Sequence, residues 1–214
     1  MTGLTARRAF TAVAALIGWG GVLLQFYLSL RLSVAGGRGI GWGIVMYFGY
    51  FTILTNILVA LALSAPFLAD SSRVVRFFAR PGVNTAIAAA IAIVGIVYSL
   101  VLRQIWDPQG LQLLADRVLH DVMPIVFLAY WWLAVPKERL RWRDIAHWLS
   151  YPAGYLFYVL ARGAIIGSYP YPFINVEELG YVRVLVNSAG LLAAFVVVAV
   201  ILVWVGRFRK ESVS

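Results

Sequence analysis

The chain has 214 residues, of which 62% are hydrophobic and only 13% charged, and its mean hydropathy is +0.85. Soluble domains carry about 45–50% apolar and about 25% charged residues, so the composition excludes an ordinary water-soluble domain and points to a polytopic membrane protein. The absence of cysteine excludes disulfides, thiolate zinc sites, iron–sulfur clusters and a cysteine nucleophile. The formal charge of +9 sits in short loops between apolar blocks, where membrane topology and anionic headgroups explain it better than nucleic acid does.

A helix rising ~1.5 Å per residue needs about 20 apolar residues to cross a hydrocarbon core of ~30 Å. Six blocks meet that length. The first, Ala9–Leu30, follows Arg7 and Arg8, is too long for a cleavable signal and carries Gly18, Gly20 and Gly21, which suit close helix packing. The second, Trp42–Phe67, holds Thr52, Thr55 and Asn56; the third, Val83–Leu102, is rich in alanine and contains Gly95. The fourth, Leu111–Ala134, carries Asp116, Arg117, His120, Asp121 and Pro124. The fifth, Ile145–Ile166, contains Arg162, and the sixth, Tyr181–Val205, contains Arg183, Asn187 and Ser188. The expectation is a single all-α domain over 1–214, a polytopic bundle of six transmembrane helices with no internal repeat.

Twelve of the 18 basic residues fall on one side under this assignment, among them Arg7, Arg8, Arg73, Arg76, Arg80, Lys137, Arg139 and Arg207. The positive-inside rule then places both termini in the cytoplasm of a multi-pass cell-membrane protein. Trp42, Trp106, Trp142, Trp148, Tyr169, Tyr171 and Tyr181 lie near the span ends, as expected of interfacial aromatic rings.

Polar groups in hydrocarbon are costly, so their depth is informative. At ~1.5 Å per residue, Thr52 lies about 15 Å and His120 about 14 Å below the outer surface. Asp116 and His120, four apart, share one face of the fourth span, with Arg117 beside them. Gln25, Arg162, Arg183 and Asn187 also fall in the outer half, which predicts a polar cavity open toward that side. Pro124 cannot donate to the carbonyl of His120, so a kink is expected there. Without cysteine, and with one intramembrane histidine, hydroxyl chemistry is the accessible choice: a Thr or Ser attacks and His takes its proton. Thr52 matches the depth of His120, with Thr55 and Ser188 as competitors. An intramembrane hydroxyl more commonly bonds back to its own helix. Arg162 and Arg183 are expected either to pair with Asp116, Glu177 or Glu178, or to clamp a substrate anion. The proline-rich stretch Ser168–Gly180 is expected to form an ordered cap or lid.

The order YFGYFTILTN (Tyr47–Asn56), RQIWDPQG (Arg103–Gly110), DRVLHDVMP (Asp116–Pro124), YPAGYLFYVLARG (Tyr151–Gly163) and YPYPFINVEELGY (Tyr169–Tyr181) resembles bacterial six-helix membrane proteins related to the androgen-induced-protein (FAR-type) family. That resemblance implies an intramembrane hydrolase of fatty acid esters of hydroxy fatty acids, in a bacterial inner membrane. By position it implies Thr52 as nucleophile and His120 as base. Asp116, Arg117, Asn56, Arg162, Arg183 and Asn187 are the supporting or substrate-binding candidates. No metal and no cofactor are expected, since one intramembrane histidine with dispersed carboxylates is poor ligand material. The expected partners are membrane lipids and a small amphiphilic or lipid-ester substrate, with no nucleic acid. The alternative is a non-catalytic carrier, receptor or structural membrane protein that binds an amphiphile in the same cavity.

Overall fold

The computed structural model describes residues 2–68, 72–137 and 140–211, and every regular element among them is helical. Arg139 of the basic count therefore lies outside the described residues. Helix α1 (Thr2–Ala35) leads through a glycine-bearing turn into α2 (Gly39–Tyr47) and α3 (Phe51–Ser64). Short α4 (Arg73–Phe78) precedes α5 (Pro81–Val97), which continues as a π turn over Tyr98–Leu102. Helices α6 (Gly110–Arg117) and α7 (Met123–Ala134) are joined by a second π turn, Val118–Val122. Then come α8 (Asp144–Trp148), α9 (Ser150–Ile166) and α10 (Val176–Glu211), the last kinked at Gly180, where φ is 70° and ψ 160°.

Among the described residues, three helices are long and apolar enough to cross a membrane: Gly3–Ala35, Pro81–Leu102 and Val176–Arg207. The block expected as one straight second span is instead a bent pair, Gly39–Tyr47 and Phe51–Phe67, at 75° to each other, and it makes a fourth crossing if both arms belong to one span. The exterior is that of a membrane protein: Ile165, Val182 and Phe157 are 83%, 80% and 78% exposed on the outer faces of α9 and α10, far more apolar surface than water-soluble chains tolerate.

Helix α5 lies at the centre, against α3, α7 and α10. Ala88, Ala89 and Ala90 are fully buried there; small side chains let neighbouring helices approach closely, which is how helices associate where lipid already satisfies apolar surface. Gly95 gives the same proximity to Pro124, whose Cβ would stand 3.2 Å from an added methyl. On α1, Gly18 faces Met123 and Gly21 faces Val118 and Leu119, so α1 seats the π turn that carries His120. Trp148 and Tyr171 are buried, at 7% and 8% exposure, packed inward against neighbouring helices.

A Cβ at Gly21 would lie 2.6 Å from Val118 Cγ1. Gly21→Val is expected to cost about 1–3 kcal/mol through overpacking, read as a lowered thermal midpoint in detergent, whereas Gly20→Val, which faces open space, should leave the midpoint unchanged.

Candidate functional site

The break between α2 and α3 releases backbone groups from helical bonding, and each described partner can be named. At the end of α2, Ile44 O accepts from Phe48 N, Met46 O from Gly49 N and Tyr47 O from Tyr50 N. The remaining carbonyl, Val45 O, accepts from Arg162 Nε and Nη2 at 3.3 and 3.2 Å. Within the break itself, Tyr158 donates to Phe48 O and Tyr155 to Gly49 O, at 3.3 and 2.9 Å. One turn nearer the start of α9, the Tyr151 hydroxyl meets Thr55 Oγ1 at 2.8 Å. Tyr151, Tyr155, Tyr158 and Arg162 recur at helical spacing, so one face of α9 serves the broken segment. Gly49 leaves room for the guanidinium, since an added Cβ would lie 2.9 Å from Arg162 Cζ.

The start of α3 is completed from elsewhere. Its N-cap, Tyr50, supplies no side-chain cap. The free N–H of Thr52, in the first turn, instead donates to the Tyr171 hydroxyl at 3.3 Å, and Thr52 Oγ1 lies 3.3 Å from the same oxygen. Tyr171 thus caps α3 from the loop before α10. Burial pushes its phenol up to about 12, against a smaller opposing effect of the Thr52 hydrogen bonds, so the group is neutral at physiological pH. The loop is ordered, as the sequence suggests: Pro172–Ile174 form a 3-10 turn, and Asn187 donates to Phe173 O at 2.9 Å.

His120 arises from the two π turns. Pro124 removes one N–H from the helix, and the expected kink is absorbed as an added π residue, with Met123 N bonding Val118 O. The other π turn closes with Arg103 N on Tyr98 O at 2.8 Å. The two turns meet: the Tyr98 ring stacks on His120 with centroids 4.1 Å apart, and Arg103 Cζ lies 5.0 Å from the Tyr98 centroid. Asp116, 3% exposed, accepts from the Tyr98 hydroxyl through Oδ2. Its Oδ1 lies 3.2 Å and its backbone O 3.0 Å from His120 Nδ1. With the proton on Nδ1, Nε2 becomes the basic nitrogen of the neutral ring.

Asn56 joins the two halves. Its Nδ2 donates to Thr52 O at 2.9 Å and to Leu119 O at 3.2 Å, so it ties the first turn of α3 to the residue preceding His120. Thr52, Asp116 and His120 all line one cavity of about 600 Å³, together with Gln25, Arg38, Tyr98, Gln112 and Tyr171. The expected juxtaposition of the second and fourth blocks is therefore present. Thr52 Oγ1 is partnered by Tyr171 in this state.

The other candidates fall elsewhere. Arg162 is buried on backbone carbonyls of Val45 and Ser168, so the anticipated pairing with Asp116 or Glu177 is replaced by stabilisation of a helix C-terminus, where a cation is favoured. Arg183 is exposed and lines neither described cavity. Arg117 pairs with Asp121 at 2.8 Å, and Asp121 also takes Arg103. Ser188 bonds back to Val184 O at 2.7 Å, which spends its proton, and Thr55 is committed to Tyr151. Tyr98 and Tyr171 are the residues that sequence reasoning missed. Both read as generic membrane aromatics, and the available signals were the PYPF setting of Tyr171 and the spacing of Tyr98 from Arg103. Among the described residues no three acidic or histidine side chains converge as a metal site. Comparison with protein-family models, curated proteins and solved structures finds no match for this chain.

Tyr171→Phe leaves the buried Thr52 N–H without its acceptor. The expected cost is about 1–3 kcal/mol, measured as a fall in thermal midpoint; an unchanged midpoint would show that the phenol does not cap α3.

Proposed function

We propose that this is an integral membrane hydrolase of lipid esters, with Thr52 as nucleophile and His120 as general base. The observation that carries the reading is that Thr52 and an aspartate-held His120 line the same cavity. The motif order that resembles the androgen-induced-protein family supports it from the sequence. In the proposed reaction, His120 Nε2 takes the proton of Thr52 Oγ1 as that oxygen attacks the ester carbonyl. The tetrahedral intermediate collapses, the leaving alkoxide takes the proton from His120, and an acyl-Thr52 ester remains. Water then attacks it with His120 again as base, releasing the acid and restoring the hydroxyl. First-turn N–H groups of α3 and the neutral Tyr171 phenol are the oxyanion donors in this scheme. Attack requires the Thr52 hydroxyl to leave Tyr171 for His120 when substrate enters.

In purified protein, Thr52→Ala and His120→Ala are each expected to lower ester hydrolysis by about 10²–10⁴-fold, and a fluorophosphonate probe should label Thr52. Undiminished turnover and labelling in both variants would remove the proposal.

The second reading is a carrier or receptor for a small amphiphile. It is favoured by the present partner of Thr52 Oγ1, which is Tyr171, and by the broken α2–α3 span, since discontinuous helices bind substrates in many carriers. Flux into proteoliposomes that survives His120→Ala would select it.

The proposed topology is six crossings with both termini cytoplasmic, supported by the helical runs from Gly110 to Ala134 and from Asp144 to Ile166 and by the basic-residue distribution. The natural absence of cysteine allows a clean test with Asp107→Cys and Arg141→Cys. An impermeant maleimide should label the first in intact cells and the second only after permeabilisation; labelling of both from one side would refute the topology.

A further inference from the structure

A second cavity, of about 90 Å³, shares part of its wall with the polar one. Thr52, Leu102 and Tyr171 line both and form the partition between them. Of the residues that line it, Val94 and Phe195 are buried, whereas Pro152 and Leu156 of α9 and Leu191 and Leu192 of α10 are partly exposed. It therefore opens between α9 and α10, among the apolar faces that bear Phe157 and Val186, 78% and 64% exposed. Its few polar atoms are already paired: Ser188 with Val184 O, Tyr155 with Gly49 O, and Thr52 with Tyr171. Only hydrocarbon contact is left to offer a guest.

We infer that this slot is a lateral acyl-chain site, entered from the bilayer between α9 and α10, and that its occupant is one unbranched hydrocarbon chain. The volume selects the shape. An apolar cavity of about 150 Å³ takes benzene, so the smaller slot holds only the first few methylenes of a thin chain, the rest of which runs out between α9 and α10, and refuses ring systems such as sterols. The polar remainder of the same molecule occupies the larger, aqueous cavity, and the junction between tail and head falls at the partition. The inference rests on the hydrolase reading for which bond meets Thr52, and on the two cavities alone for where the chain lies. The substrate class is then an ester of a straight-chain acid, drawn from the membrane, with the carbonyl presented at Thr52.

The test uses the full-length Thr52→Ala protein in nanodiscs with a straight-chain fatty acid ester that bears a diazirine in its acyl chain. Photolysis and peptide mapping should place cross-links on Leu156, Leu192 or Phe195, and the filling substitution Leu192→Trp should reduce them at least tenfold. Val97→Phe fills the slot from the α5 side and should act alike if Leu192→Trp does not fold. Cross-links confined to the outer surface at Ile165 and Val182, or undiminished by both substitutions, would overturn the slot. In the protein with Thr52 intact, filling should lower the ratio of octanoyl to acetyl p-nitrophenyl ester turnover at least tenfold. Slot cross-links without turnover of any ester would leave the chain site standing and the hydrolase reading refuted. Turnover with an unchanged ratio would do the reverse.

Discussion

A helix that breaks off leaves peptide groups without their helical partners, and the interruption between α2 and α3 releases several at once. Each must find a partner within the protein or cost several kcal/mol. The molecule answers with a second helix: Tyr155, Tyr158 and Arg162 of α9 reach the carbonyls of Gly49, Phe48 and Val45, and Tyr171 receives the N–H of Thr52. The interruption, the polar face of α9 and the loop before α10 are thus one unit. Its effect is to lift Thr52 out of a continuous helix wall and set it in a first turn, where backbone N–H groups are free of helical partners.

The histidine side of the cavity uses another departure from α geometry. Two π turns, at Tyr98–Leu102 and Val118–Val122, each rotate the residues that follow relative to an unbroken helix. Tyr98 opens the first and His120 lies within the second, where the two rings stack and the Tyr98 hydroxyl reaches Asp116. Such single-turn π segments mark functional sites often, and here both fall on the residues that hold the imidazole. Asp116 has one carboxylate oxygen for Tyr98 and the other for His120, and its backbone O is a second partner for the same ring nitrogen. Asn56 sets the spacing between this unit and the first turn of α3 through two backbone carbonyls.

Thr52 stands where two environments meet. One side is a large cavity that holds Arg38, Gln112, Asp116 and His120, and the other a narrow apolar slot between α5, α9 and α10. An amphiphile divides naturally across such a boundary, since each half finds its own solvent. The Asp116–His120 pair stays on the polar side of that boundary, without the cost of a buried, unpaired charge.

Composition and periodicity alone determined the all-α, membrane-embedded character, because apolar blocks of helical length cannot be stable in water. They also drew attention to the polar cluster around Asp116 and His120, since costly polar residues are conspicuous in so apolar a chain. That the second block meets the fourth was not legible, because a shared depth does not name a helix's neighbours; the Asn56 bond to Leu119 O shows it. Depth also carries no information about direction around a helix axis, so the roles of Arg162, Arg183 and Asn187 could not be read from it. Arg162 faces a broken helix end, a feature that becomes visible only once Gly49 is seen to interrupt the span. Tyr98 and Tyr171 were hidden for a related reason: a tyrosine in a membrane sequence looks the same whether it anchors at the interface or turns inward. Only the assembled bundle decides that, because the partner that makes inward burial favourable, Asp116 for one and the Thr52 amide for the other, is brought near by tertiary packing and by nothing in the local sequence.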